Sequence, residues 1–343
     1  MQAIVIHAAK DLRLEDRAVG FPAAGEVRVK IATGGICGSD LHYYNHGGIG
    51  DSIRLKEPMV LGHEVSGYVD AVGVGVDKLK VGELVAVSPS RPCYNCEYCC
   101  RAQHNHCLNM RFYGSAMPFP HIQGAFQQML IATQEQCVLA KGLSAGEAAM
   151  AEPLAVCLHA TKRAGDLMGK RVLVTGSGPI GTLCVLAAQA AGAIEIVVTD
   201  LTDEALAYAS TIGASRTINV MKTPDALKAY EAKKGYFDVL YECSGAARAL
   251  ACGVATIRPR GVVMQLGLGG DMTIPMQLMT TKELELRGSF RFHDEFANAV
   301  GLMQQGRINV GPLISHTLPL SDAVEAFQIA GDRTQAMKAQ IAF

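Results

Sequence analysis

The stretch from Lys170 to Asp200 leaves a chain little freedom. It reads KRVLVTG, then GSGPIG, then TLCVLAAQAAG, then IEIVVTD: an apolar run, a glycine turn, an apolar helical stretch and a second apolar run. A membrane span over Val172–Val198 would have to accommodate Glu195 and the glycine turn, so a buried strand–helix–strand explains the segment better. Gly176, Gly178 and Gly181 form G-x-G-x-x-G between the predicted strand and helix. The first permits a tight turn, the second lets backbone meet a pyrophosphate at the helix N-terminus, and the third lets helix and strand pack closely. Asp200 ends the second strand, where an acid accepts hydrogen bonds from an adenosine ribose. Further units follow: a helix at Asp203–Ile212 and strands at Arg216–Asn219, Phe237–Cys243, Gly261–Leu268 and Glu283–Gly288. Alternation of this kind predicts a doubly wound parallel sheet.

The N-terminal part has a different period. Ala3–His7, Leu12–Asp16, Glu26–Ala32, Val65–Val72 and Leu84–Val87 read as short strands, with EVRVKIA alternating strictly. That predicts a barrel-like β unit, so the 343 residues divide into at least two domains of an α/β chain. Helices are expected at Gly146–Arg163, Glu295–Gln305 and Asp322–Ala330, and a last strand at Lys338–Phe343. A net charge of −1 without a basic block offers no footprint for nucleic acid or an anionic membrane. The N-terminus lacks the pattern of a signal peptide, which points to the cytoplasm.

Five of the eleven cysteines crowd into CYNCEYCCRAQHNHC. Cys93, Cys96, Cys99 and Cys107 are spaced to close a tetrahedron round one structural zinc; a redox motif would need only one pair. Cys100 is left over, and His104 and His106 are surplus to four sulfurs. A second constellation lies upstream. Cys37 and His63 occupy glycine-flanked turns, in GGICGSDLHYY and VLGHEVSG, with Ser39 and His42 nearby and fit to pass a proton. Taken alone they read as a core thiol and imidazole, or as two ligands of a catalytic zinc lacking its third. Glu152, in an apolar stretch before Pro153, is either a helix N-terminal acid or a buried carboxylate that needs a partner.

GGICGSDLH, GHE, the CxxCxxCx7C cluster, EPL and GSGPIG stand in one fixed order over most of the chain. That combination resembles the zinc-dependent medium-chain dehydrogenase/reductase family, on its sorbitol/threonine dehydrogenase branch. The resemblance implies a GroES-like catalytic domain at 1–148 carrying the structural zinc lobe. It implies a Rossmann domain at 149–288 and a C-terminal return to the first domain at 289–343. It makes Cys37 and His63 ligands of a catalytic zinc, with Glu152 in the position of the branch's third ligand and Glu64 as an alternative carboxylate. Zinc with one thiolate, one carboxylate and a neutral imidazole then sums to zero charge. Ser39 and His42 become the proton relay. Cofactor contacts are implied at Gly176, Gly178, Pro179, Ile180, Gly181, Asp200, Ser244, Gly267 and Phe290. After Asp200 the sequence LTDEALAYAS has acids where family members often carry a basic residue, which favours NAD over NADP, although close relatives can accept both.

The implied reaction is hydride transfer between NAD(P) and a secondary alcohol of a small molecule. The strings MRFYGSAM, AEPLAV, KGYFDV and LRGSFRF point to a sugar acid, with a polyol or L-threonine as the nearest rival substrates. A sugar acid carries a carboxylate, so its pocket needs a cation. Arg111 and Arg291 are the candidates, Arg291 matching the position where the branch's sorbitol dehydrogenases contact substrate hydroxyls; Tyr43 matches a substrate-contacting tyrosine, and Glu152 also faces substrate. A homo-oligomer, dimer or tetramer, is implied as well. The rival from another class is an interaction module built on the cysteine cluster; near-neutral charge and the complete nucleotide fingerprint argue against it.

Overall fold

The computed structural model describes residues Met1–Phe343, built on two large sheets bridged by long helices. The first sheet has six parallel strands in the spatial order Arg216–Asn219, Glu195–Asp200, Arg171–Thr175, Phe237–Glu242, Ile257–Gln265 and Glu285–Gly288. Its central strands are continuous apolar runs because helices cover both faces; Leu173, Val174, Val197, Val198, Leu240 and Tyr241 are all buried. Strand order reverses beside Arg171–Thr175, where Thr175 pairs with Thr199 on one side and Glu242 on the other. In open sheets of this type ligands bind in the crevice at such a switch point.

The second sheet is mainly antiparallel, running Cys137–Leu139, Leu84–Val87, Glu64–Val72, Glu26–Gly35, Lys338–Ala342 and Ile314–Pro319. The period-2 pattern of EVRVKIA turns Val27, Val29 and Ile31 into the core. The C-terminal strand adds to this N-terminal sheet, with Gln340 opposite Gly35 and Ile341 opposite Gly34. The preceding helix, Ala323–Gly331, packs Phe327 into the same core, edge-on to Tyr44 at 5.5 Å. Gly35 also pairs with Glu64. Three strands distant in sequence therefore end side by side, and the chemistry collects at that shared end.

One expectation changes. The Cys37 segment is a helix, Gly38–His46, rather than a turn. Cys37 caps it, Asp40 accepts the Cys37 N–H at 3.0 Å, and Gly47 closes it in the left-handed region at φ 64. Only Asp40, Tyr43 and Tyr44 are buried along it, so no apolar stripe announced it. No helix is long and apolar enough to cross a membrane.

Candidate active site

Cys37 and His63 come together because their strands pair, Gly35 against Glu64 and Gly34 against Val65. Ligating atoms of Cys37, His63 and Glu64 all lie within 4.8 Å of one another. Asp40 is fully buried and holds the two turns in register, accepting from the backbone N–H of Cys37 at 3.0 Å and of Gly62 at 3.2 Å. Its other neighbour is His63 Nδ1, at 3.7 Å and without any hydrogen-bond partner. With Nδ1 turned toward the Asp40 carboxylate, Nε2 is left for a metal.

Lys338 enters from the C-terminal strand. Its Nζ donates to both oxygens of Glu64, at 2.9 and 2.7 Å, and to the Ile36 carbonyl at 3.1 Å. Lys338 and Glu64 side chains are 2% and 1% exposed. Glu152, in the first turn of the helix Ala151–Ala164, is buried beside this cluster. Burial, reinforced by Glu64 and Cys37, pushes its carboxyl up to about 8 against the pull of His63. Burial, with Glu64, also pushes the Cys37 thiol up to about 12. Two acids and a thiol thus share a dry pocket with one lysine, a donor set that a divalent cation would complete.

The Sγ atoms of Cys93, Cys96, Cys99 and Cys107 also lie within 4.8 Å of one another. The Cys93–Cys107 and Cys96–Cys107 separations are 3.4 and 4.0 Å, near the edge of about 3.8 Å that a tetrahedron of Zn–S bonds of about 2.3 Å requires. Backbone N–H groups of Cys93 and Asn109 point at the Cys107 sulfur, at 3.2 and 3.3 Å. A hydrogen bond from the Asn95 backbone draws Cys93 down to about 6, toward the thiolate a metal takes. The antiparallel pair Ser90–Arg91 and Arg111–Phe112 closes the base of the loop. Cys100 is exposed and takes no part.

The glycine turn behaves as its spacing requires. Gly176 has φ +88, and a Cβ on Gly181 would sit 1.8 Å from the Gly176 carbonyl oxygen. A Cβ on Gly178 would meet nothing nearer than the Arg333 guanidinium at 4.0 Å, so the N-terminus of the helix Pro179–Ala190, which Pro179 and Ile180 begin, stands open for a phosphate. Asp200 is buried and accepts from the backbone N–H of Ser177 at 2.6 Å and of Leu201 at 2.7 Å. Across the crevice the buried Glu242 accepts from Ser244 N–H at 2.9 Å, Gly245 N–H at 3.0 Å and Gln265 Nε2 at 2.7 Å, while its own carbonyl takes the Gly267 N–H at 2.8 Å. It shapes the loops that bear Ser244 and Gly267. Sequence reasoning missed it, as it missed Asp40 and Lys338. It also missed Lys222, which pairs with Asp203 beside the end of the Asp200 strand.

Ser39 is half-buried and hydrogen-bonds the Cys37 sulfur, easing its ionisation; His42 lies one turn on in the same helix, exposed. Tyr43 is 2% exposed, and its hydroxyl accepts the Ala116 N–H at 3.0 Å, so it forms the floor of the site. The two arginines part company. Arg111 is exposed and pairs with no carboxylate, whereas the next residue, Phe112, is buried against His63 at 5.6 Å. Successive strand residues face opposite ways, so Arg111 is not aimed with Phe112 at the metal cluster. Arg291 is. Its guanidinium lies 4.2 Å from the Phe112 ring centroid and 4.9 Å from that of Phe290, and its backbone is held in the left-handed region at φ 54. Burial lowers its pKa, opposed by Glu152 and Tyr43, the ionisable groups that face it.

A family model described as "Alcohol dehydrogenase GroES-like domain" matches residues 23–142, and one described as "Zinc-binding dehydrogenase" matches residues 179–305. L-idonate 5-dehydrogenase (NAD(P)(+)) of Escherichia coli strain K12 is 42% identical over 344 residues, covering 100% of this chain and 98% of that protein. Sorbitol dehydrogenase of Gallus gallus is 39% identical over 331 residues, covering 95% and 92%. The crystal structure of the Escherichia coli L-idonate 5-dehydrogenase superposes with a TM-score of 0.95 over 100% of this chain and 98% of that one.

Proposed function

Because the chain belongs to the zinc-dependent medium-chain dehydrogenase/reductase family, we propose that it oxidises a secondary hydroxyl of a sugar acid with NAD(P)⁺. L-idonate, converted to 5-dehydro-D-gluconate, is the substrate that the 42% relative favours. One observation carries the sugar-acid reading: Arg291 stacked over Phe112, which in turn packs on His63, so that a cation flanks the metal cluster. A guanidinium there can take a carboxylate with two charge-assisted hydrogen bonds.

Cys37, His63 and Glu64 would hold the catalytic zinc, and Cys93, Cys96, Cys99 and Cys107 the structural one. Glu64 is preferred over Glu152 as third ligand because its oxygen belongs to the set within 4.8 Å. When bound, the zinc supplies Lewis acidity to the substrate hydroxyl and the nicotinamide accepts the hydride. Ser39 takes the hydroxyl proton beside Cys37, and His42 passes it to solvent from the next turn of the helix. Asp40 ties the Cys37 and Gly62 segments together, and Arg291, stacked on Phe112, takes the acid end of the substrate.

Replacing Arg291 by methionine should raise KM for L-idonate by roughly tenfold or more, as for a lost charged hydrogen bond of about 1.5–3 kcal/mol. Turnover of sorbitol, which has no carboxylate, should change less. Equal losses on both would sink the carboxylate role, and an unmodified enzyme that prefers sorbitol would make it a polyol dehydrogenase. Cofactor choice is separable. Asp200→Ser removes the acceptor for a ribose hydroxyl and should narrow the preference for NAD⁺ over NADP⁺, by roughly tenfold on the same energy scale. Initial rates with both cofactors measure this, and an unchanged ratio would place Asp200 outside the ribose pocket.

None of the eleven cysteines is in a disulfide, which suits a reducing cytoplasm. We assign a homo-oligomer of two or four chains. The edge strand Glu285–Gly288 leaves one side of the parallel sheet unpaired, and Leu286 on it and Met276 on the preceding helix Met276–Thr281 are exposed.

A further inference from the structure

We infer that His104, His293 and Asp294 form a third metal site, for a first-row divalent transition ion, that ties the four-cysteine lobe to the segment bearing Arg291. It shares no ligand with either zinc site. His104 lies on the short turn His104–His106 inside the lobe, whereas His293 and Asp294 lead into the helix Glu295–Gln304, far along the chain. Their ligating atoms nevertheless fall within 4.8 Å of one another.

Two features make this a donor set rather than a chance meeting of side chains. The two imidazoles stack at 4.2 Å with planes 29° apart, and Tyr94 closes one side of the pair, 5.2 Å from His104 and 6.0 Å from His293. None of the three side chains makes a hydrogen bond; His293 Nε2 stands 3.9 Å from Asp294 Oδ1, too far for one. Two nitrogens and one carboxylate select zinc, nickel or copper over magnesium or calcium. Bonds of about 2.0–2.2 Å place neighbouring donors roughly 3 Å apart, a contraction that half-exposed side chains reach by rotation. Asn105 already donates to the Phe290 carbonyl at 3.0 Å, and His106 stacks on Phe290 at 6.1 Å. A metal at His104–His293 would lock this contact, so that Arg291 is held by Phe290 one residue before it and by His293 two residues after it.

Nickel is the probe. Isothermal titration of the zinc-loaded protein with Ni²⁺ should show one additional saturable site per chain, with zinc content unchanged. His104→Ala and Asp294→Asn should each weaken that site by roughly tenfold or more, while leaving zinc content and the rate without added nickel at their original values. Identical isotherms in the two variants and the unmodified protein would overturn the assignment. So would release of one zinc for each nickel bound, since the titration would then be reading an established site.

Discussion

Replacing His63 by alanine is expected to lower turnover by at least about a thousandfold and to leave the protein folded, with about one zinc per chain in place of about two. Lewis-acid activation is worth several kcal/mol, and each 1.36 kcal/mol is about a factor of ten in rate. His63 supplies the neutral nitrogen of a set whose other members, Cys37 and Glu64, are a buried thiol and a carboxylate already claimed by Lys338. Without the imidazole, burial keeps Cys37 protonated and the set no longer holds a metal tightly. The four-cysteine lobe is a separate cluster and should keep its metal, so the loss is of activity and not of fold. Cys96→Ser should do the reverse and cost stability, since a structural metal contributes folding energy directly. Metal analysis and initial rates read both variants. A His63→Ala protein with full zinc content, or with turnover within tenfold of the original, would remove this cluster from the reaction.

Much of this site was legible in the sequence because its parts are local. Four sulfurs within fifteen positions and three glycines within six carry their geometry with them, and both clusters stand where their spacing put them. Strand-period alternation likewise marked Val27, Val29 and Ile31 as core. What was not legible depends on pairing between distant strands. Lys338 lies 274 positions from Glu64 and looks like any lysine near a C-terminus until Gln340 pairs with Gly35. Lys222 reaches Asp203 only because the strand ending at Asn219 runs beside the one ending at Asp200. Arg111 and Arg291 look equally apt in one dimension. The sheet period separates them, turning Phe112 inward and Arg111 to solvent. Asp40 was hidden differently. It sits inside GSDLH, between the residues that drew attention, yet its task is to hold backbone from two segments, which no side-chain motif records.

Lys338→Met is expected to destabilise the metal-free protein by about 3–5 kcal/mol, the cost of removing one partner of a buried ion pair. The ammonium accepts no compromise: it is 2% exposed and directs its protons at both Glu64 oxygens and the Ile36 carbonyl. Burial works against its charge, but Glu64, with both oxygens accepting from it, outweighs burial and raises its pKa. Remove it, and Glu64 is left in a closed pocket beside Cys37 and Glu152 with no cation. A dication in the same pocket replaces that lost charge. The penalty should therefore shrink when zinc is present, which a surface lysine would not show. Urea denaturation of both proteins, with and without zinc and with matched slopes, gives the comparison directly. Adding Glu64→Gln to Lys338→Met removes the orphaned carboxylate and should recover part of the metal-free stability, because neutral replacement of both partners is tolerated far better than loss of one. A loss below about 0.5 kcal/mol, ordinary for a surface substitution, or a loss indifferent to zinc, would mean that Lys338 does not balance the charge of this site.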